Sequence, residues 1–406
     1  MDPVPQVLLI LSALLVLGAA GEAIFSRTGI PDAIWLVVAG ILLGPASGLI
    51  SPQALEPAVP IFGAIALTVI LSGGAYRIRL VNLITAAPRG LLLSTVGFVF
   101  SLVAIYLFFW IATELGWVAP APPVYWVMMG AIVGGSSSLI ILPAVQKSGV
   151  DKSVGSTLEV ESSATDAFCV VVAMALIDLA NTGGAMDVPH LAATLAQQLG
   201  IGVALGIVAF AMVVPILPRL RDASHGYTVF LAAMLGLYGI TTFAQGNGAM
   251  AVLIAALLLG NAKSIVPRLI PGARPESFEG IQASAGIQDH MTFLMKSFFF
   301  VLIGLMFPSD WRLIGLGMLG AAFLFLLRFP AVYLSMLRRD LSKQQFWLMS
   351  TAAPRGLAAG VLATMPLTAG IPHMENLSPA VFALIVTSIL LFTLGWAVIR
   401  RLYSSQ

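Results

Sequence analysis

Of 406 residues, 59% are hydrophobic and 9% are charged, and the formal net charge is +2. A soluble domain carries roughly 25% charged residues, so a surface this poor in charge faces lipid over most of its area. The single cysteine, Cys169, excludes a disulfide framework and a cysteine-rich metal site, and the lack of a basic tract excludes nucleic acid as a partner.

A spanning helix takes about 20 apolar residues. Runs of that kind fall at about 5–25, 31–50, 57–76, 89–112, 123–146, 152–180, 189–217, 226–244, 247–265, 287–307, 311–337, 344–370 and 377–399, thirteen candidate spans joined by short loops. The first follows Met1 to Gln6, which lack a basic n-region, and it is too long for a signal peptide, so it reads as a span. The chain stops just past the thirteenth, at Ser404-Ser405-Gln406, and no soluble regulatory domain is expected. One set of loops carries Arg27, Arg77, Arg79, Arg89, Lys147, Lys152, Arg219, Arg221, Lys263, Arg268, Arg274, Arg338, Arg339, Lys343, Arg400 and Arg401, whereas the other carries only Arg312. Cytoplasmic loops hold the excess of Lys and Arg, so the N-terminus is expected outside and the C-terminus in the cytoplasm. The expected fold is an all-α polytopic membrane protein, one transmembrane domain over residues 1–406.

Two spans read as interrupted. The fifth contains Gly134-Gly135-Ser136-Ser137-Ser138 and then Pro143; the twelfth contains Pro354-Arg355-Gly356, then Gly360 and Pro366. Unwound backbone at membrane depth survives only against protein or a wet cavity; the alternative is close helix packing through small residues. The two spans lie seven apart, which fits two inverted six-helix repeats joined by the seventh helix, with crossing broken helices at the site. The string TAAPRGL occurs at 85–91 and again at 351–357. Those positions are not related by the seven-helix offset, so the repetition reads as coincidence or as two similar cytoplasmic helix starts.

Ionisable groups within a span default to a functional hypothesis. The sixth span holds Glu159, Glu161 and Asp166, the tenth Lys296 and the eleventh Arg328. Counted from Lys152 at 1.5 Å per residue, Asp166 lies about 21 Å along its helix, past the middle of a hydrocarbon core of ~30 Å. At 100° per residue Asp166 shares a face with Glu159, Ser162, Ser163 and Cys169, whereas Glu161 points about 140° away, near Thr165. The two acids therefore need different partners. Asp166 reads as an ion site or as half of a buried pair with Lys296 or Arg328. Glu161 reads as half of a helix-to-helix pair with an arginine. Lys296 is either an anchor near the cytoplasmic end of its helix or a functional group.

A carboxylate withdrawn from water favours neutralisation, and a proton and a small cation can compete for that role. A hard cation wants oxygen ligands, which Ser136, Ser137, Ser138, Ser162, Ser163 and Thr165 can supply. The histidines, His190, His225, His290 and His373, fall in loops or at helix ends without metal-ligand spacing, so no enzyme and no cofactor is expected.

At this point the chain resembles the monovalent cation/proton antiporter family, the sodium/proton exchangers and their potassium-handling relatives. The resemblance runs through Ile30-Pro31, Gly40 and Gly44-Pro45 in the second span, LEVESSATD at 158–166, FFFVLIGL at 298–305 and PRGLAAGVLATMP at 354–366. It implies that Asp166 is the transport carboxylate, binding the monovalent cation or the proton, with Thr165, Ser137, Ser136 and Ser162 around it. It implies a structural pair between Glu161 and Arg328; beside it, Lys296, Glu159 and Arg355 are candidate modulators. It further implies a homodimer in membrane lipid, in a bacterial inner membrane. Each protomer would have a mobile core around 123–180 and 344–399 and an interface domain from the remainder, moving like an elevator. Three departures stand out: Ser136-Ser137-Ser138 replaces Thr-Asp-Pro, Thr165 replaces an Asn or Asp, and Gly73-Gly74 replaces an acidic motif. They leave sodium against potassium open, and with Asp166 the one clear titrating acid at the site they imply electroneutral exchange. A cation- or proton-coupled symporter of an organic solute and a channel are the competing readings.

Overall fold

The computed structural model describes residues 12–13, 15–21, 23–24, 31–50, 59–77, 80–147, 152–181, 188–216, 223–269, 285–337, 341–372 and 374–403. The first half of the first expected span and the loop cations Arg27, Arg79, Arg219, Arg221, Arg274, Arg338 and Arg339 lie outside them. Every apolar run expected to span contains helix among the described residues, and no strand occurs there. After helical turns at 15–21, the helices are α1 (Asp32–Ile41, continued by a π turn at Leu42–Ala46), α2 (Val59–Arg77), α3 (Leu80–Glu114), α4 (Pro123–Ile132) and α5 (Ser138–Lys147). Then follow α6 (Lys152–Asn181), α7 (Val188–Val213), α8 (Ala223–Phe243), α9 (Gly248–Gly260), α10 (Ala262–Leu269) and α11 (Ala285–Leu305). The last are α12 (Trp311–Ser335), α13 (Lys343–Thr351), α14 (Leu357–Thr368) and α15 (Met374–Tyr403).

Among the described residues, six stretches are long and apolar enough to cross a membrane: Pro88–Glu114, Ser153–Asn181, Ala192–Val213, His225–Phe243, Trp311–Ser335 and Ser378–Leu402. The fifth and twelfth runs are instead each split into two short helices. The fifth breaks at the glycines and serines of 134–137 and the twelfth at 352–356, while Pro143 and Pro366 sit inside α5 and α14. Proline at position 354 removes a backbone donor and disfavours helix for the residue before it; the first break has no proline and rests on its small residues. The expected helix start at Arg89 falls within α3, which begins at Leu80 and carries Pro88 in its interior.

The described residues form two compact units. The first comprises Met1–Pro60, Ala86–Met186 and Lys296–Gln406, and so holds both broken spans with α6, α12 and α15. Within it α1 lies directly on the second half of α11, where Gly40 and Gly304 leave no room for a side chain between the two backbones. The second comprises Ile61–Thr85 and Asp187–Met295. Its helices α7 and α9 meet at Gly202 and Gly206, a small-residue seam of the kind that draws spanning helices together. There Asn247 caps α9 by accepting a hydrogen bond from the Met250 N–H at 2.8 Å, and the Gln288 amide donates to the Val69 carbonyl at 2.7 Å.

Candidate functional site

The two breaks meet in the first unit. The Ser137 N–H donates to the Pro354 carbonyl at 2.8 Å, and Gly356 lies so close to the Ser137 side chain that a Cβ would collide with it. Unwinding leaves backbone groups without intrahelical partners, and in a membrane each must find another. Arg355 supplies several. Its guanidinium donates to the Gly135 carbonyl at 2.7 Å, to the Gly134 carbonyl at 3.1 Å and to the Ser101 hydroxyl at 3.4 Å, and its own backbone N–H donates to the Ser388 hydroxyl at 2.8 Å. Arg355 is buried, so its positive charge is compensated by carbonyl dipoles at the end of α4.

Helix α6 runs past this crossing. The Ser136 N–H donates to the Thr165 hydroxyl at 3.3 Å, and Gly135 lies against Cys169 and the Thr165 carbonyl. One turn earlier, the Ser136 hydroxyl donates to Glu161 Oε1 at 3.3 Å. Glu161 is buried and receives Arg328 in a fork: Nη1 bonds Oε1, and Nη2 bonds Oε2 at 2.7 Å. The Nε of Arg328 donates to the Met349 carbonyl at 3.3 Å, so one guanidinium joins α6, α12 and α13. A bidentate pair fixes orientation as well as charge.

Asp166 follows Thr165 directly and is half-buried. Among the described residues its carboxylate has no hydrogen bond and no ion pair. The two cations considered as its partners are both engaged elsewhere. Arg328 holds Glu161, and Lys296 pairs with Asp32 of α1 at 2.5 Å. The buried pair considered between Asp166 and Lys296 is thus replaced by one between Asp32 and Lys296. Asp32 looks in the sequence like an ordinary acid at a helix start, and nothing local announces a partner on α11.

The remaining hydroxyls are distributed unevenly. Thr165 Oγ1 donates back to the Ser162 carbonyl at 3.1 Å, and Ser162 Oγ donates to the Glu159 carbonyl at 3.2 Å. Ser137 Oγ makes no hydrogen bond among the described residues. Sequence reasoning missed the contribution of α3. Gly97 faces Arg328, where a Cβ would stand 3.5 Å from Nη1, and Ser101 meets Arg355. The copied string is also misread as a helix start at its second occurrence: Pro354-Arg355-Gly356 forms the buried break itself.

The sequence pattern described as "Sodium/hydrogen exchanger, transmembrane" matches residues 10–399. The chain is 27% identical over 379 residues to the K(+)/H(+) antiporter NhaP2 of Shewanella oneidensis, a match covering 90% of this chain and 61% of that one. It is 24% identical over 375 residues to the Na(+)/H(+) antiporter 1 of Methanocaldococcus jannaschii, covering 89% of this chain and 83% of that one. The chain thus spans about three fifths of the length of the first relative (61%). In fold it is similar to the solved structure of the sodium proton antiporter MjNhaP1 from the same archaeon, with a TM-score of 0.79, 21% identity and coverage of 98% and 97% of the two chains.

Proposed function

As the chain belongs to the sodium/hydrogen exchanger family, we propose that it is a secondary antiporter exchanging Na+ or K+ for H+ at Asp166. The observation that carries this reading is the Asp166 carboxylate, unpartnered among the described residues, beside the meeting point of two unwound helices, while Arg328, Lys296 and Arg355 each bond other groups. A carboxylate left without a protein counter-charge must be neutralised by something mobile. A proton and a monovalent cation each suffice, and mutual exclusion at one site couples their movements. Ser137 Oγ, which has no hydrogen bond of its own, and the Thr165 and Ser136 hydroxyls beside the break are oxygen donors for the cation. Glu161 and Arg328 hold α6 to α12 and take no part in ion binding.

The core around 123–180 and 344–399 carries the site between the two faces by elevator-type movement against the remainder, in a homodimer of the cell membrane with the N-terminus outside. The two sequence relatives described above are named antiporters, and nothing in the site favours the organic-solute symporter. Everted vesicles with a pH-sensitive dye test the reading. Addition of Na+ or K+ alone, compared with Li+ and Rb+, should release protons to the outside in vesicles carrying the wild-type chain and not in those carrying Asp166→Asn. Wild-type exchange in the variant sinks the assignment of Asp166, and a flux that needs an organic solute sinks the antiporter.

A further inference from the structure

The tripeptide Pro-Arg-Gly, present at 88–90 and 354–356, does comparable work in both places. Arg355 donates to carbonyls at the end of α4 while Gly356 presses on Ser137. Arg89 likewise donates, through Nη1, to the carbonyls of Ser335 and Leu337 at 3.1 Å each, at the C-terminal end of α12. The last carbonyls of a helix lack intrahelical donors and form the negative end of its dipole, so a guanidinium is a favourable cap. Gly90, the next residue, is buried on α6: a Cβ there would lie 2.7 Å from Val160 Cβ and 3.1 Å from the Thr157 carbonyl.

We infer that Pro88-Arg89-Gly90 is a positioning clamp, which sets α6 and α12 at the separation where Glu161 meets Arg328. Two consecutive residues of α3 touch the two helices that carry the ion pair, one against Val160, immediately before Glu161, and the other at the end of the helix that holds Arg328. The same face of α3 then continues along the site. At 100° per residue, Gly90, Gly97 and Ser101 fall within about 20° of one line, and Gly97 gives room to Arg328 while Ser101 meets Arg355. Helix α3 thus touches both buried arginines and anchors the pair from its far end. The clamp's effect on the ion pair is independent of the antiporter reading; its effect on transport rests on it.

Two measurements on the full chain test the clamp, with Arg89→Gln and Gly90→Ala as independent lesions. The first is a double-mutant cycle in the detergent melting temperature, crossing each lesion with Glu161→Gln. The clamp requires that the combined loss be smaller than the sum, because part of each single effect is the broken pair. The second is exchange in proteoliposomes. Arg89→Gln should raise the apparent cation KM about three- to tenfold with a smaller change in kcat, and Arg89→Lys should recover part of it. In the Glu161→Gln background, Arg89→Gln should leave KM where Glu161→Gln has put it. Additive melting losses for both lesions, or an unchanged KM beside a lowered melting temperature, overturn the clamp and leave Arg89 as a helix cap alone. If the wild-type chain moves no protons on cation addition, the antiporter reading fails and the melting cycle decides the clamp by itself.

Discussion

Two faces of α6 treat their acids in opposite ways. On one, Glu161 receives both nitrogens of the Arg328 fork and the Ser136 hydroxyl. On the other, Asp166 is half-buried and without a partner among the described residues. A fully compensated acid has nothing to gain from a passing ion, whereas an uncompensated one does. The contrast between them lies in how many donors the surrounding helices aim at each carboxylate, and the side-chain chemistry is the same for both.

The sharpest way to break that contrast is to remove the charge of Asp166. Asp166→Asn keeps size and hydrogen bonding but cannot exchange a proton, and cation-driven proton release should fall to the level of empty vesicles while the protein still inserts. Asp166→Glu should retain a fraction with altered apparent affinity. The opposite profile belongs to the other face. Glu161→Ala or Arg328→Ala leaves a buried charge alone and should cost about 3–5 kcal/mol of stability, read as a large drop in the detergent melting temperature. The double variant should lose less than the sum, and equal, additive losses would show that the pair makes no joint contribution. Asp32→Asn comes next in size. It removes one charge-assisted bond from a pair that is 13% and 10% exposed, so the expected loss is about 1.5–3 kcal/mol, with exchange retained. The smallest expected effect is zero. With Lys296 paired to Asp32, the proposed exchange at Asp166 is one cation for one proton, and an imposed membrane potential should not change the exchange rate in proteoliposomes. A voltage-dependent rate would return Lys296 to the list of proton carriers.

Much of this site could be read from the sequence because the membrane makes deviations conspicuous. Glycine, proline and serine at 134–138 and 354–356 stand out in apolar runs, and Asp166, Glu161 and Arg328 stand out as charges. Helical angle alone separates the two acids of α6. What could not be read was pairing across helices. Asp32 and Lys296 meet because α1 and α11 approach at Gly40 and Gly304, and no local pattern encodes which spans are neighbours. Nor did the pattern say which interruption breaks a helix. Pro143 and Pro366 are as visible as Pro354 but lie inside helices, since a proline's missing hydrogen bond is tolerated when neighbouring groups take up the freed carbonyl. The repeated TAAPRGL reads as accidental for a related reason: its common feature is an arginine bound to the carbonyls of a distant helix end, which spacing along the chain does not reveal.

The bond from the Ser137 N–H to the Pro354 carbonyl, with the Arg355 bonds beside it, has a consequence for the order of assembly. The first broken helix emerges from the ribosome long before its partner, and until residues 354–356 arrive the Ser137 N–H and the carbonyls of Gly134 and Gly135 lack these partners, while Ser136 already has Thr165 and Glu161 of α6. Unsatisfied backbone is costly in hydrocarbon, so the crossing of the two breaks, and with it the proposed ion site, is completed only once residues 354–356 have been made. A chain interrupted before α13 would therefore contain Asp166 and all of α6, yet lack the crossing beside which Asp166 lies.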